Sequence, residues 1–518
     1  MTKQAAAPVR RGRRARLAEE TEPEDTGPNA VWPGLEGGRY RPLSAKEEGA
    51  VHEAVLDLLE SLGLSQAIPS MIEKVTARGG RLTEDGRLLF PRDLVLDSIE
   101  SASRSIRLHG QKSGLGIELS GTKVHMSSGG ASPEIVDLDS GQYRPAMAKD
   151  LYDAARIVDS LDHVHHFSRS LVVRDAPDPL SMDVNTAYAC LAGTAKPVSI
   201  SASDPSHVPT IARICYEIAG GEDAFRARPF LTIMVCHVVP PMRFAEEACE
   251  TIEAAVRAGF PVQIISAGQA GATSPATIAG SLVQAVAETL AGFVFARLVD
   301  PTAKAIFAPK PLVADLRTGA MCGGGGEQAI LMAAAAQMGR YYDLPTSSIA
   351  GITDAKIPDA QHGYEKNLAV SLAAHAGSNL ITQACGMQAS LLGASLESYV
   401  IDNDMLGGIL RSLRGVEATA ETIGTEVIAE VCRGEGHYLG HAQTLARMKS
   451  DYVYPVVGDR RTPEDWEADG AQDMRARAKA KTREILGEHF PDHLSEALDR
   501  KLRQDFDLLI PRADMGRR

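Results

Sequence analysis

Side chains able to do chemistry are densest between Pro345 and Lys366, in the stretch PTSSIAGITDAKIPDAQHGYEK, which carries Asp354, Lys356, Asp359, Gln361, His362, Tyr364 and Glu365. A lysine in a turn could form a Schiff base with a carbonyl substrate. Carboxylates beside a histidine could exchange protons with one. Asp354, Lys356 and His362 are therefore the catalytic candidates. Each also has a plainer reading. Lys356 can pair with Asp354 or Asp359 in its own turn, and acidic groups favour a helix start through the dipole. The Cys236-His237 pair, with Cys322 or Cys385, could supply metal ligands, but no CxxC or HxxEH spacing accompanies it. Free cysteines usually behave as small buried hydrophobes, so no metal site is expected. Gly323 to Gly326 ahead of Glu327 could cradle a phosphate at a helix start, yet the Lys-Ser/Thr of a P-loop is missing. Glycines that let a flat partner approach closely, or a simple helix entry, fit better. His163, His165 and His166 straddle Val164 in a strand-like run and read as structure.

These residues need elements to position them. Ser347 to Ile352 is a short β-capable run, Thr353 to Lys356 a polar turn, and a helical pattern opens after Pro358; that is the βα unit of a parallel sheet. Seven more strand-like runs follow the same plan, at Val124 to Ser127, Val164 to Val173, Pro197 to Ser201, Phe230 to Cys236, Pro261 to Ser266, Ala303 to Phe307 and Asn379 to Thr382, with helical patterns between them. Parallel neighbours need crossovers of a dozen or more residues, and eight units predict an α/β TIM (β/α)8 barrel. A doubly wound open sheet usually has fewer units and often a GxGxxG turn, which is absent here.

The expected organisation is a flexible charged arm over residues 1–40, an N-terminal helical module over 41–122, the barrel over 123–392 and a C-terminal helical extension over 393–518. Ser44 and Glu47 form a capping-box pattern at the first helix of the module. Ile106 to Glu118 and Lys123 to Met126 read as strands that could close one end of the barrel. In such a barrel the active site lies beyond the C-terminal strand ends. The turns there are SSGGASPE, SASD, CHVVPP, SAGQAGATSP, the region Lys310 to Arg317, TDAK and QACGMQ.

Composition narrows the classes. Fifty-four basic against 67 acidic residues give a net charge of −13, which disfavours nucleic acid as a partner. Seven scattered cysteines without CxxC fit reduced thiols in a cytoplasmic compartment. Ile278 to Leu298 is very apolar but interrupted by Gln284, Glu288 and Arg297, so it reads as a buried helical hairpin and not a membrane span. The start, MTKQAAAPVRRGRRAR, has no apolar core and does not read as a secretory signal. Aromatic residues make up 5% of the chain, yet Phe307, Tyr341, Tyr342, Tyr364 and Tyr399 all fall in the C-terminal half of the expected barrel, where an aromatic cage for a quaternary ammonium could form, although each taken singly is more often core.

The strings CGGGGEQAILMAAAAQMGRYYDLP, GITDAKIPDAQHGYEKNLAVSLAAHAGSNLI, DNDMLGGILR and YVYPVVGDRRTPEDWEADGAQDM resemble the trimethylamine methyltransferase family. The resemblance runs from about Tyr40 to Leu486 and implies a TIM barrel that moves a methyl group from an amine to the Co(I) centre of a separate corrinoid protein. Archaeal members acting on trimethylamine carry pyrrolysine, and this chain has ordinary residues throughout. It is therefore similar to the non-pyrrolysine branch, whose substrates are quaternary amines such as glycine betaine. Proline betaine, carnitine and trimethylamine are the alternatives within the class. A Schiff-base lyase using Lys356 and a non-catalytic betaine-binding protein are the alternatives outside it.

On this reading aromatic faces such as Phe307 and Tyr364, with a carboxylate such as Asp354 or Glu327, would hold the cation. Lys356, Arg317, His237 or His362 would take a substrate carboxylate, with Gln361 nearby. No DxHxxG cobalt-ligating motif is present, so the corrinoid (cobalamin) is expected on a partner protein, with none bound permanently. Gly129, Gly130, Gly324 and Gly325 would face it, and the enzyme is expected to be a homo-oligomer.

Overall fold

The protein's structure is a computed structural model, and it describes residues 29–516. The basic cluster Arg10 to Arg16 and the acidic residues after it lie outside the described residues. Eight parallel strands alternate with helices: β1 Lys123–Met126, β2 Phe167–Ser168, β3 Val198–Ile200, β4 Leu231–Cys236, β5 Val262–Ser266, β6 Ala305–Pro309, β7 Ser347–Ile349 and β8 Leu380–Thr382. The helices are α1 Ala148–Ser160, α2 Pro179–Gly193, α3 Val208–Ala219, α4 Glu246–Arg257, α5 Ile278–Val299, α6 Gly326–Tyr341, α7 Ala360–His375 and α8 Leu396–Arg414.

The strands pair in parallel as two arcs, β2 to β6 and β7-β8-β1. Single parallel bridges, Ser127 to His166 and Phe307 to Thr346, join the arcs into a ring. This is the TIM barrel, with helical extensions at both ends. Helix α8 was expected in the C-terminal extension; it packs against both α7 and α1, the place of the barrel's eighth helix.

Side-chain parity sorts the strands. In β6, Ile306 joins a core cluster with Leu380 from β8 and with Ile106, Leu108, Ile117 and Leu119 from the antiparallel hairpin Ser105–Leu108 and Ile117–Ser120. That hairpin stops the lumen at the N-terminal strand ends. Positions 308 and 310 share the inward face with 306, so Phe307 points outward. Its ring packs edge-on to Tyr342 beyond the end of α6, with centroids 5.8 Å apart.

Helix α5 is apolar on every side, as befits a helix covered all round. The barrel strands β5 and β6 lie against it, and the N-terminal helices Ala45–Ser61, Pro69–Thr76 and Arg92–Glu100 cover it further. It is long and apolar enough to cross a membrane but largely buried within the protein. It is one continuous helix where a hairpin was expected: Gly280 and Gly292 lie within it without breaking the pattern, and the missing side chain of Gly292 makes room for the His237 ring.

Ser44 caps the first helix through the expected box, its amide donating to Glu47 (2.8 Å) while the Glu47 amide donates to the Ser44 hydroxyl (3.4 Å). At the other end of the chain Met474–Glu488 packs on α1 and α8. Arg156 of α1, buried, donates to the carbonyls of Leu486 (2.9 Å) and His489 (2.7 Å) and to Asp153 (2.9 Å), and lies 4.0 Å from the centroid of Phe490. Residues 416–453, grouped with residues 29–32, form a separate compact unit of short helices: Ala420–Ile423, Thr425–Arg433 and Ala442–Ser450.

Candidate active site

A cavity of about 380 Å³ lies at the C-terminal strand ends. Every strand sends a residue to its wall, either its own or from the loop that follows. Gly130 comes from the turn after β1, Arg169 follows β2, Ser201 follows β3, Cys236 ends β4 and Ile265 lies in β5. Lys310 follows β6, Ile349 ends β7 and Gln383 follows β8. Among the described residues that line it there is no carboxylate and no aromatic ring; the charged ones are Lys310 and Arg169.

Lys310 is buried and stands on a chain of hydrogen bonds across the lumen. Its ammonium donates to Thr382 Oγ1 (3.1 Å) and Gln263 Oε1 (3.4 Å). Gln263 Nε2 donates to Ser199 Oγ (3.2 Å), which stands 2.9 Å from His166 Nε2. His166 Nδ1 is 2.7 Å from Ser127 Oγ, whose proton goes to the Ser128 carbonyl (3.0 Å). One polarity satisfies every link: His166 donates from Nδ1, and its Nε2 accepts from Ser199. Burial lowers the His166 pKa to about 3, so the ring is neutral, as that polarity requires. The chain supplies dipoles to Lys310 but no negative charge. Burial accordingly lowers its pKa to about 8, with Cys236 opposing the shift. An ammonium has three donors, and one remains for a ligand.

The stretch expected to hold the catalytic groups lies outside this cavity. Asp354 accepts from Ser390 Oγ (2.6 Å), the amides of Gly323 (2.8 Å) and Gly324 (3.2 Å), and Cys322 Sγ (3.1 Å). Burial would raise its pKa, and these donors more than offset that, leaving it below the usual carboxylate value. Lys356 is exposed, and its ammonium donates to the Asp354 carbonyl (2.6 Å), the plainer of the two readings in kind. Glu365 lies beneath, accepting from Thr353 Oγ1 (2.6 Å) and from Gln361 (2.8 Å).

This knot acts on the cavity at one remove. It pins Ala389, Ser390 and Leu391, three consecutive residues with φ of 52°, 55° and 74°, and Leu391 is part of the cavity wall. Three non-glycine residues in the left-handed region cost of order 1–3 kcal/mol each, and such a turn persists only where its surroundings hold it. Ala389 and Ser390 donate their amides to the Ala355 and Thr353 carbonyls (2.8 and 2.9 Å).

His362 is buried with Nε2 2.8 Å from Asp402, which also accepts from Lys366 (2.7 Å) and the Gly386 amide (2.8 Å). This group joins α7, α8 and the loop after β8 behind the cavity wall. His237 points away from the cavity toward the Ile265 and Glu288 carbonyls (3.1 and 2.9 Å), and burial lowers its pKa to about 4. Its neighbour Cys236 faces the cavity. Arg317 is exposed and paired to Asp315 (2.8 Å); Glu327 and Tyr364 are exposed on helix surfaces.

Of the four glycines, Gly130 lines the cavity. A Cβ there would meet Met387 Sδ at 2.4 Å, and one on Gly129 would meet the Gln383 amide at 2.9 Å. With its amide turned to accept from Gly130 N (3.1 Å), Gln383 ties this turn to the loop after β8. Gly324 sits over Glu365 and Gly325 beside Glu327, away from the cavity wall. Among the described residues no group of three or more His, Cys, Asp or Glu side chains is positioned to hold a metal ion.

Comparison with known proteins adds a family. Residues 9–508 match the model of the trimethylamine methyltransferase (MTTB) family. The chain is 30% identical over 470 residues to the trimethylamine methyltransferase MttB of Desulfitobacterium hafniense, covering 90% of this chain and 94% of that one. It is 26% identical over 465 residues to a glycine betaine methyltransferase from another strain of that species, covering 90% and 96%. Among solved structures, the monomethylamine methyltransferase of Methanosarcina barkeri aligns over 90% of this chain and 93% of its own, with 12% identity and a TM-score of 0.47. A match over nearly the whole length places the chain, and it belongs to the trimethylamine methyltransferase family.

Proposed function

We propose that this methyltransferase takes its methyl group from a small quaternary ammonium compound bearing a carboxylate, glycine betaine being the simplest, and delivers it to the Co(I) centre of a separate corrinoid protein. The observation that carries the reading is Lys310, a buried ammonium with a donor to spare in a cavity whose wall, among the described residues, holds no carboxylate and no aromatic ring. Such a wall repels a bare cation and attracts an anion. A substrate carboxylate on Lys310 anchors the molecule at the lumen end and leaves its trimethylammonium toward the mouth. Cobalt attacks one methyl with its lone pair, the C–N bond breaks, and nitrogen keeps that pair as a neutral tertiary amine. Cobalt becomes methyl-Co(III), and no proton moves. The enzyme supplies position and exclusion of water, for which an apolar wall of Met234, Val235, Ile265, Leu312, Ile349 and Leu391 is suited.

Lys310→Met tests this. A charge-assisted hydrogen bond contributes about 1.5–3 kcal/mol. The variant should therefore raise KM for glycine betaine about tenfold to a hundredfold, with much less effect on a donor lacking a carboxylate. Equal KM values for wild type and variant would sink the assignment. A second reading also has Lys310 in its favour, since a buried lysine of lowered pKa is a competent Schiff-base former. Borohydride trapping of a carbonyl compound on Lys310, without methyl transfer from any betaine, would select it.

A further inference from the structure

The second cation of the cavity, Arg169, has no ligand-independent role that its contacts explain. It lines the cavity, and its Nε is buried without a hydrogen-bond partner. Buried donors are nearly always paired in native proteins, so a site that leaves one open invites an acceptor from outside. Asp183 of α2 is the nearby countercharge that opposes the effect of burial on Arg169. Yet Asp183 Oδ2 is taken by the Ser203 amide (2.7 Å) and hydroxyl (2.8 Å) and by His207 Nδ1 (2.8 Å), and its Oδ1 is itself unpartnered. Asp183 tempers the guanidinium without closing it.

Position matters as much as pairing. Arg169 follows β2 and Lys310 follows β6, four strands apart in a ring of eight, so the two cations enter the cavity from opposite sides. One small carboxylate on Lys310 leaves the Arg169 side unfilled. Charges agree: Lys310 and Arg169 with Asp183 make one net positive charge, which a zwitterion such as glycine betaine leaves unbalanced. A quaternary ammonium with two carboxylates carries one net negative charge and balances it. Arginine is also the residue suited to holding a planar carboxylate by two donors.

We propose that the cavity is built for a methyl donor with two anionic ends, an N-trimethylated amino dicarboxylate, with one carboxylate on Lys310 and the other on Arg169. This deepens the reading above and rests on its placement of a carboxylate at Lys310. The products are the dimethylamino dicarboxylate and methyl-Co(III), with the same electron balance.

Binding measured by calorimetry on the intact chain, with no corrinoid protein present, tests it. N,N,N-trimethylglutamate should bind at least tenfold tighter than 4-(trimethylammonio)butanoate, which lacks only the second carboxylate. In Arg169→Gln the two affinities should fall within about twofold of each other, while Lys310→Met should weaken both ligands. Equal affinity of the two ligands for the wild-type protein overturns the second subsite. So does a loss in Arg169→Gln that is the same for both, which would mark Arg169 as serving the cavity's shape alone. A Lys310→Met variant that binds both ligands as wild type does would instead overturn the first subsite.

Discussion

At the scale of the residue, the proposed donor binding turns on one lysine and its surroundings. Burial brings the Lys310 pKa to about 8. A lowered lysine pKa means that the charged form is present below about pH 8 and lost above it. Affinity for a carboxylate should follow the charge: kcat/KM for glycine betaine should be level below pH 8 and fall above it, and Lys310→Met should show no fall there. A pH profile that is level through pH 9.5 in the wild type would contradict the role. Lys310 was within reach of the sequence, since it begins the turn after the sixth strand. Isolated in FAPKPL, it carried no motif, whereas Lys356 sat among many polar neighbours. Phe307 was lost to parity, for in a strand the adjacent position faces the other way and nothing local says which face is the lumen. Arg169 lay inside an expected strand reaching to Val173, so the sequence offered no sign that it stands at a strand end.

At the scale of the element, the polar stretch after β7 is a brace. Asp354 accepts from two backbone amides and two side chains and so holds the left-handed turn at Ala389 to Leu391. Asp354→Ala leaves those donors open and should cost about 1–3 kcal/mol. Amide exchange at Gly323 and Gly324 should quicken, and KM should rise through Leu391 while Lys310 keeps its pH profile. Unchanged exchange would show that the turn stands without Asp354. The buried group behind the wall is costlier to break. Asp402 is held below its ordinary pKa: burial raises it, and Lys366 and His362 more than offset that. Its stabilisation is therefore complete above the ordinary carboxylate value and lost as pH falls through the lower folded one. Asp402→Ala leaves Lys366 buried without a counterion and should cost about 3–5 kcal/mol, read as a drop in the urea midpoint near neutral pH. The strands and seven of the helices were legible because apolar period and turn chemistry are local; which polar groups meet across α7, α8 and the loop after β8 depends on packing that no spacing records.

At the scale of the whole molecule, the barrel is tied to chain segments far from it in sequence. The Ser105–Leu108 and Ile117–Ser120 hairpin plugs one end, and Arg156 binds α1 to the carbonyls near His489. Arg156→Ala removes four of its hydrogen bonds and the packing on Phe490, and should lower the melting temperature by several degrees without changing KM for the donor. A fall in affinity with no loss of stability would mean that the extension reaches the site.

The direct test of the central claim is the visible spectrum of a Co(I) corrinoid protein mixed with the enzyme and one donor at a time. Conversion to methyl-Co(III) is expected with glycine betaine and little or none with tetramethylammonium, which offers the same methyl group without a carboxylate for Lys310. Equal conversion with both, using a corrinoid protein shown to accept a methyl group, would contradict it.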